Sequence, residues 1–172
     1  MLERGDVPSP DCAKGLTSVG RLLGRETNCM SDKCFVDTNV LVYAHDRSTG
    51  PKHTAAQALI QDLWNSGLGV LSTQVLQEFC VSLRRKAARP LPPDEIRRLV
   101  QDYSTWEVIT NTAESILQAL EIEGRYKTSF WDALIIHAAE ASGAAILYSE
   151  DLANSQRYGS IRVVNPFATP AR

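Results

Sequence analysis

Cys34-Phe35-Val36, Val70-Leu71, Val108-Ile109, Ala145 to Tyr148 and Ile161 to Val164 are short, nearly uninterrupted apolar runs. Between them, apolar residues recur every three or four positions, the period of a helix that buries one face. A strand that faces water on one side alternates polar and apolar residues, whereas one that is apolar throughout is covered on both sides. Covered strands alternating with helices make a parallel sheet, because parallel neighbours need a long crossover connection. The expected fold is therefore α/β: a three-layer α/β/α sandwich around a central, mainly parallel, five-stranded sheet.

The intervening segments carry helix punctuation. Val40 to Ala44 continues as helix from the first strand. Pro51 opens a helical stretch to about Ser66, with Ala55, Ala56, Leu59, Ile60 and Leu63 at helical spacing and Gly67 as the stop. Ser72 or Thr73 can cap a helix running through Gln77, Glu78 and Leu83. Pro90, Pro92 and Pro93 break the chain, and Asp94 to about Tyr103 resumes as helix. Thr112 starts a helix with Ala113, Ile116, Leu117 and Leu120 on one face. Ser129 starts another, through Leu134, Ile135 and Ala138 to Gly143.

At 172 residues the chain is long enough for one well-buried core. Residues 1–29 are rich in Gly, Pro, Ser and Thr and show no hydrophobic period. They are expected to be a disordered extension, or the product of a start codon assigned upstream of Met30. Residues 30–172 then form a single domain. The net charge of -2 provides no global basic field, so any contact with nucleic acid must use a local patch. Cys12, Cys29, Cys34 and Cys80 form no CxxC pair with zinc spacing and are expected to be free thiols. No run approaches the roughly 18 apolar residues of a membrane span. The N-terminus has no apolar segment of a secretory signal, so a cytoplasmic address without a membrane partner is expected. Nucleotide-binding glycine motifs are absent from the sequence.

Four carboxylates stand at the joints of this pattern. Asp37 directly follows the first strand, and Glu78 lies early in the helix after the second. Asp132 lies in the first turn of the helix after Ser129, and Asp151 just past the fourth strand. In an open parallel sheet the strand ends and following helix starts gather along one edge, where ligands bind. Two carboxylates about 4 Å apart repel by roughly 4 kcal/mol at an effective dielectric near 20. Four together must take up protons or hold a cation. Oxygen donors without His or thiolate point to Mg²⁺ or Mn²⁺. Such an ion activates water and clamps phosphate oxygens, which makes phosphodiester hydrolysis the natural chemistry. Each acid taken singly also has a structural explanation: Asp37 as a helix cap, Glu78 as a surface charge, Asp132 in a capping box with Ser129, Asp151 as a loop acid.

Taken together, the blocks resemble those of PIN domains. Phe35-Val36-Asp37-Thr38-Asn39-Val40-Leu41-Val42 is similar to their opening strand, and Ser72 to Phe79 to the block carrying their second acid. Phe130-Trp131-Asp132-Ala133-Leu134-Ile135 resembles the third block, and Leu147-Tyr148-Ser149-Glu150-Asp151-Leu152 the fourth. Successive acids are 41, 54 and 19 residues apart, which also suits that family. The resemblance runs from Met30 to Phe167, and is nearest to the short toxin ribonucleases of VapBC toxin–antitoxin pairs.

It implies a Mg²⁺- or Mn²⁺-dependent endoribonuclease in which Asp37, Glu78, Asp132 and Asp151 hold the ion and position the attacking water. Asn39 and Ser149 would orient the carboxylates or the ion's water shell. The family's Ser/Thr-x-Asp pattern favours Asp151, with Glu150 as the other candidate for the fourth acid. Arg84, Arg85, Lys86 and Arg89, with Arg97 and Arg98, offer a local basic patch for phosphates, or else a solvated helix face. Tyr43 and Trp131 could stack on bases, or pack in the core or a dimer interface. His45 and His137 are expected to be structural. The resemblance further implies an RNA substrate, a homodimer, and a small antitoxin inserted into the acidic groove. The alternative is a catalytically inactive PIN fold that binds RNA or protein. A haloacid-dehalogenase-type phosphatase fits less well, because it needs an Asp where Asn39 stands.

Overall fold

The computed structural model describes residues 32–85 and 90–168. The expected extension over residues 1–29, and Lys86 and Arg89 of the basic run, lie outside the described residues. The first half of the chain comprises β1 (Cys34–Val36), α1 (Thr38–His45), a 3-10 turn (Arg47–Thr49), α2 (Pro51–Ser66), β2 (Gly69–Ser72), α3 (Thr73–Arg85) and α4 (Pro93–Tyr103). There follow β3 (Glu107–Ile109), α5 (Ala113–Tyr126), α6 (Phe130–Ala141), β4 (Ile146–Tyr148), β5 (Arg157–Tyr158) and β6 (Ile161–Val164).

The strands lie in the order β3-β2-β1-β4-β6-β5, and every pairing except β5 with β6 is parallel. From β1 the chain winds outward to β2 and β3, then returns across the sheet to β4 on the other side of β1. Right-handed crossovers put α1 to α4 on one face and α5 with α6 on the other, giving the expected three layers. The helix contacts agree: α1 packs on α2 and α3, α3 on α4, and α5 on α6. The direction of winding reverses between β1 and β4. That reversal opens a crevice at the carboxyl ends of the two strands.

Phe35, Val36, Val70, Leu71 and Leu147 are buried with Leu41, Phe79, Leu83 and Ile136 from the helices. Each such side chain contributes on the order of 1.5–3 kcal/mol by leaving water. At the start of β2 the ring of Trp106 fills the space a side chain would need. A Cβ on Gly69 would lie 2.2 Å from it. The Trp106 ring belongs to an aromatic group with Trp64, Tyr103, Phe79 and His45. His45 Nε2 is 2.7 Å from the Tyr103 hydroxyl, and burial pushes its imidazole pKa down, as suits a structural histidine.

One expectation is corrected. The sheet has six strands rather than five, because Arg157–Tyr158 pairs antiparallel with β6. Two residues, one exposed and one buried, make no apolar run to read. In α5 the residues Ala113, Ile116, Leu117 and Leu120 do share a face, and it is the outward one. Ile116, Leu117 and Leu120 are about half exposed, and the helix buries Ser115, Ala119 and Ile122 instead. Small residues on that side let α5 approach α6 closely, leaving the larger apolar side chains outside. No helix among the described residues is long and apolar enough to cross a membrane.

Candidate active site

Asp37 leaves β1 at the crevice. Its backbone N–H donates to the carbonyl of Tyr148 at the end of β4 (3.0 Å), extending the β1–β4 ladder by one bond. As N-cap of α1, its Oδ1 accepts from the backbone N–H of Thr38 at 2.6 Å. Ser149, the next residue after β4, is fully buried and donates its hydroxyl to Asp37 Oδ2 at 2.7 Å. The same Ser149 oxygen accepts from the N–H groups of Asp151 (3.2 Å) and Leu152 (3.4 Å), turning the chain as it leaves β4. Asn39, in the first turn of α1, donates to Asp151 Oδ2 at 2.5 Å.

Glu78 reaches the same place from α3. Ser72 turns the chain from β2 into this helix, its hydroxyl oxygen accepting from the N–H of Val75 (3.3 Å). Thr38 Oγ1 donates to Glu78 Oε2 at 2.7 Å, and Gln74 Nε2 donates to Glu78 Oε1 at 3.0 Å. Asp37, Glu78 and Asp151 are thus linked through hydroxyl and amide groups of Thr38, Ser149 and Asn39. They also feel one another electrically. Burial pushes the Asp37 carboxyl up to about 6, and the charges of Asp151 and Glu78 add to the rise; the bonds from Ser149 and Thr38 oppose it.

Asp132 is placed differently. Its Oδ2 accepts from Ser129 Oγ (2.7 Å) and Thr128 Oγ1 (3.3 Å), while Ser129 caps the Asp132 N–H. Its charge is felt at Tyr158, whose phenol is raised first by burial and then by Asp132. The third acid is turned back toward its own helix start rather than into the group of three. Glu150 is also otherwise engaged: it pairs with Lys52 and bonds Tyr43. Burial alone would raise its carboxyl, but the hydrogen bonds from Lys52 and Tyr43 outweigh that and hold it below the usual range. Of the two neighbours, Asp151 is the one joined to Asn39.

Lys52 stands 4.9 Å above the Tyr43 ring, with Phe167 edge-on to that ring at 5.2 Å, so Tyr43 is partly buried against the core. Trp131 is the reverse, 62% exposed at the start of α6. Arg84 and Arg85 are exposed at the end of α3. They lie six and seven residues beyond Glu78, about 9–10 Å farther along the helix axis. Arg97 and Arg98 are exposed on α4.

The donor set is all oxygen, with a buried carboxylate whose charge is costly and uncompensated by any cationic side chain named above, so its chemistry fits a hard divalent ion. The cage is not ready-made: among the described residues no three His, Cys, Asp or Glu side chains are drawn together tightly enough to ligate one. Thr38 and Gln74 are the participants that reasoning from single acids overlooked. Gln74 left a signal, since it stands four residues before Glu78, a spacing that pairs side chains on a helix.

Among curated proteins none matches the chain. Solved structures do resemble it. The toxin VapC20 of Mycobacterium tuberculosis, described as cleaving the sarcin-ricin loop, shares 23% identity at TM-score 0.55 over 69% of this chain and 90% of its own. A toxin–antitoxin complex from Klebsiella pneumoniae gives 18% identity and TM-score 0.56, over 80% of this chain and all of that one. A DNA-bound VapBC from Salmonella typhimurium gives 19% and 0.53, over 76% and 96%. At such identities the likeness speaks for the fold alone. The sequence speaks for more: the family model of the PIN domain matches residues 34–158, from the first residue of β1 to the end of β5, and the chain belongs to the PIN domain family.

Proposed function

We propose that the protein is an endoribonuclease dependent on Mg²⁺ or Mn²⁺, and the toxin of a toxin–antitoxin pair of the VapBC kind. The observation that carries this reading is the buried Asp37 at the reversal point of the sheet, electrically coupled to Glu78 and Asp151 in a PIN frame. A bound divalent ion supplies phosphate polarisation and a water of lowered pKa. Asp37, Glu78 and Asp151 would hold it, and Asp132 is the fourth acid of the proposal. Ser149 and Thr38 fix carboxylate oxygens of Asp37 and Glu78, and Asn39 fixes Asp151, which limits the orientations these acids can take.

Toxin–antitoxin complexes among the similar structures support a small antitoxin as partner. The exposed Ile116, Leu117 and Leu120 on α5 support association of two copies. The basic residues Arg84 and Arg85, with Lys86 and Arg89, are proposed as phosphate contacts remote from the acids.

The deciding experiment is cleavage of total RNA by purified protein with Mg²⁺, with EDTA, and with Asp37→Asn. Cleavage by the wild type with Mg²⁺ alone is expected. Equal cleavage by wild type and Asp37→Asn would mark a contaminant and defeat the proposal. RNA binding without cleavage would favour an inactive binding module instead.

A further inference from the structure

Gln74 belongs to none of the four acidic positions, yet its residue is less exposed than any of them. It is 4% exposed in the first turn of α3. Its Nε2 donates twice: to Glu78 Oε1 at 3.0 Å on its own helix, and to the backbone carbonyl of Trp131 at 3.3 Å in the first turn of α6. Both acceptors leave no doubt which end of the amide is nitrogen, because a carbonyl oxygen there would face two other oxygens.

Among the described residues, the remaining atom of the amide, Oε1, is buried without a hydrogen-bond partner. An unmet buried acceptor is destabilising. A leucine or methionine would avoid that penalty but would take the donor away from Glu78 Oε1 and the Trp131 carbonyl, so the amide's stabilising and destabilising contributions oppose each other. What the amide does achieve is geometric. With Thr38 holding Glu78 Oε2 from α1, the carboxylate is gripped on both oxygens, and one of the two grips also ties α3 to the helix that carries Asp132.

We propose that Gln74 is a positioning residue for Glu78: its amide fixes that carboxylate against the first turn of α6 and so sets how the second and third acidic blocks face each other. The inference rests on the proposed function, since it assigns Glu78 to a divalent ion. Groups that orient a ligating carboxylate without touching the ion typically change ion affinity 10- to 100-fold when removed.

The test uses the full chain and the bare metal. Mn²⁺ affinity of RNA-free protein is measured by calorimetry for wild type, Gln74→Met, Glu78→Ala and the double variant, with melting temperatures alongside. Gln74→Met is expected to weaken Mn²⁺ binding about tenfold, to melt within a few degrees of wild type, and to add nothing in the Glu78→Ala background. Unchanged Mn²⁺ affinity, or an equal loss with and without Glu78, overturns the inference. Should Gln74→Met fail to fold, Gln74→Asn keeps the amide but is one methylene too short to span both acceptors, and the same affinity loss is expected. If wild type binds Mn²⁺ and cleaves RNA while Gln74→Met does both equally, only this inference falls. If wild type binds no Mn²⁺, the proposed function fails and takes the inference with it.

Discussion

The Ser149 hydroxyl donates to Asp37 Oδ2 across 2.7 Å, joining the carboxyl ends of β1 and β4. That bond favours the charged carboxylate, yet burial wins and the group stands at about 6 against an ordinary 3.8. The folded protein therefore binds more protons than the unfolded chain between those two values. By linkage its contribution to stability is full below pH 3.8 and is lost as pH rises through 6.

Asp37→Asn lacks this titration. In EDTA, urea unfolding at pH 7.5 is expected to show the variant more stable than wild type, by up to about 3 kcal/mol, with the difference closing toward pH 4. The amide oxygen can still cap Thr38, and the amide nitrogen then donates to the Ser149 hydroxyl, where the carboxylate oxygen accepts from it. A variant markedly less stable at pH 7.5 would show that Asp37 serves the fold first.

Asp151 and Glu150 are neighbours with different companions, Asn39 for one and Lys52 with Tyr43 for the other. Asp151→Asn is expected to slow Mg²⁺-dependent RNA cleavage at least 10- to 100-fold. Glu150→Gln should leave the rate within a few-fold and cost little stability, since exposed ion pairs contribute about 0–1 kcal/mol. The reverse ranking would hand the fourth position to Glu150.

Asp132 is the acid whose hydrogen bonds do not require a site. Ser129→Ala removes the α6 cap and should cost about 1 kcal/mol in chemical denaturation while cleavage continues. Asp132→Asn should abolish cleavage with a smaller stability loss. If it cleaves normally, Asp132 is only part of the helix start.

Gly69→Ala tests packing away from the acids. The added Cβ meets the Trp106 ring at 2.2 Å, so the indole must shift within its aromatic neighbours. A loss of about 1–3 kcal/mol in urea unfolding is expected, and an unchanged midpoint would mean the ring moves freely.

The sheet was legible in the sequence because buried parallel strands leave continuous apolar runs and their helices leave caps. Thr112 and Ser129 cap as their residue types suggest, and Gly67 ends α2 in the left-handed region at φ 69°. Arg157–Tyr158 was not legible, being too short to carry a period. Which side of α5 turns outward was not legible for a different reason: periodicity says which residues share a face, not which face a helix turns inward. That Asp37, Glu78 and Asp151 lie near one another was readable, since strand ends define the rim; that Asp132 turns to Ser129 and Thr128 was not. The acids' hydrogen bonds were not, because the choice of Asp132 for Ser129, or of Glu150 for Lys52, depends on side-chain torsions that spacing does not determine.

The N–H of Ser149 ends on the carbonyl of Val164, the last residue of β6, at 3.2 Å. Ser149 in turn holds both Asp37 and the backbone of Asp151. A nascent chain that has already emerged through Leu152 possesses every acid but lacks the strand that pins two of them. In the order of synthesis the carboxylates therefore come first, and the strand whose last carbonyl holds the Ser149 backbone comes last.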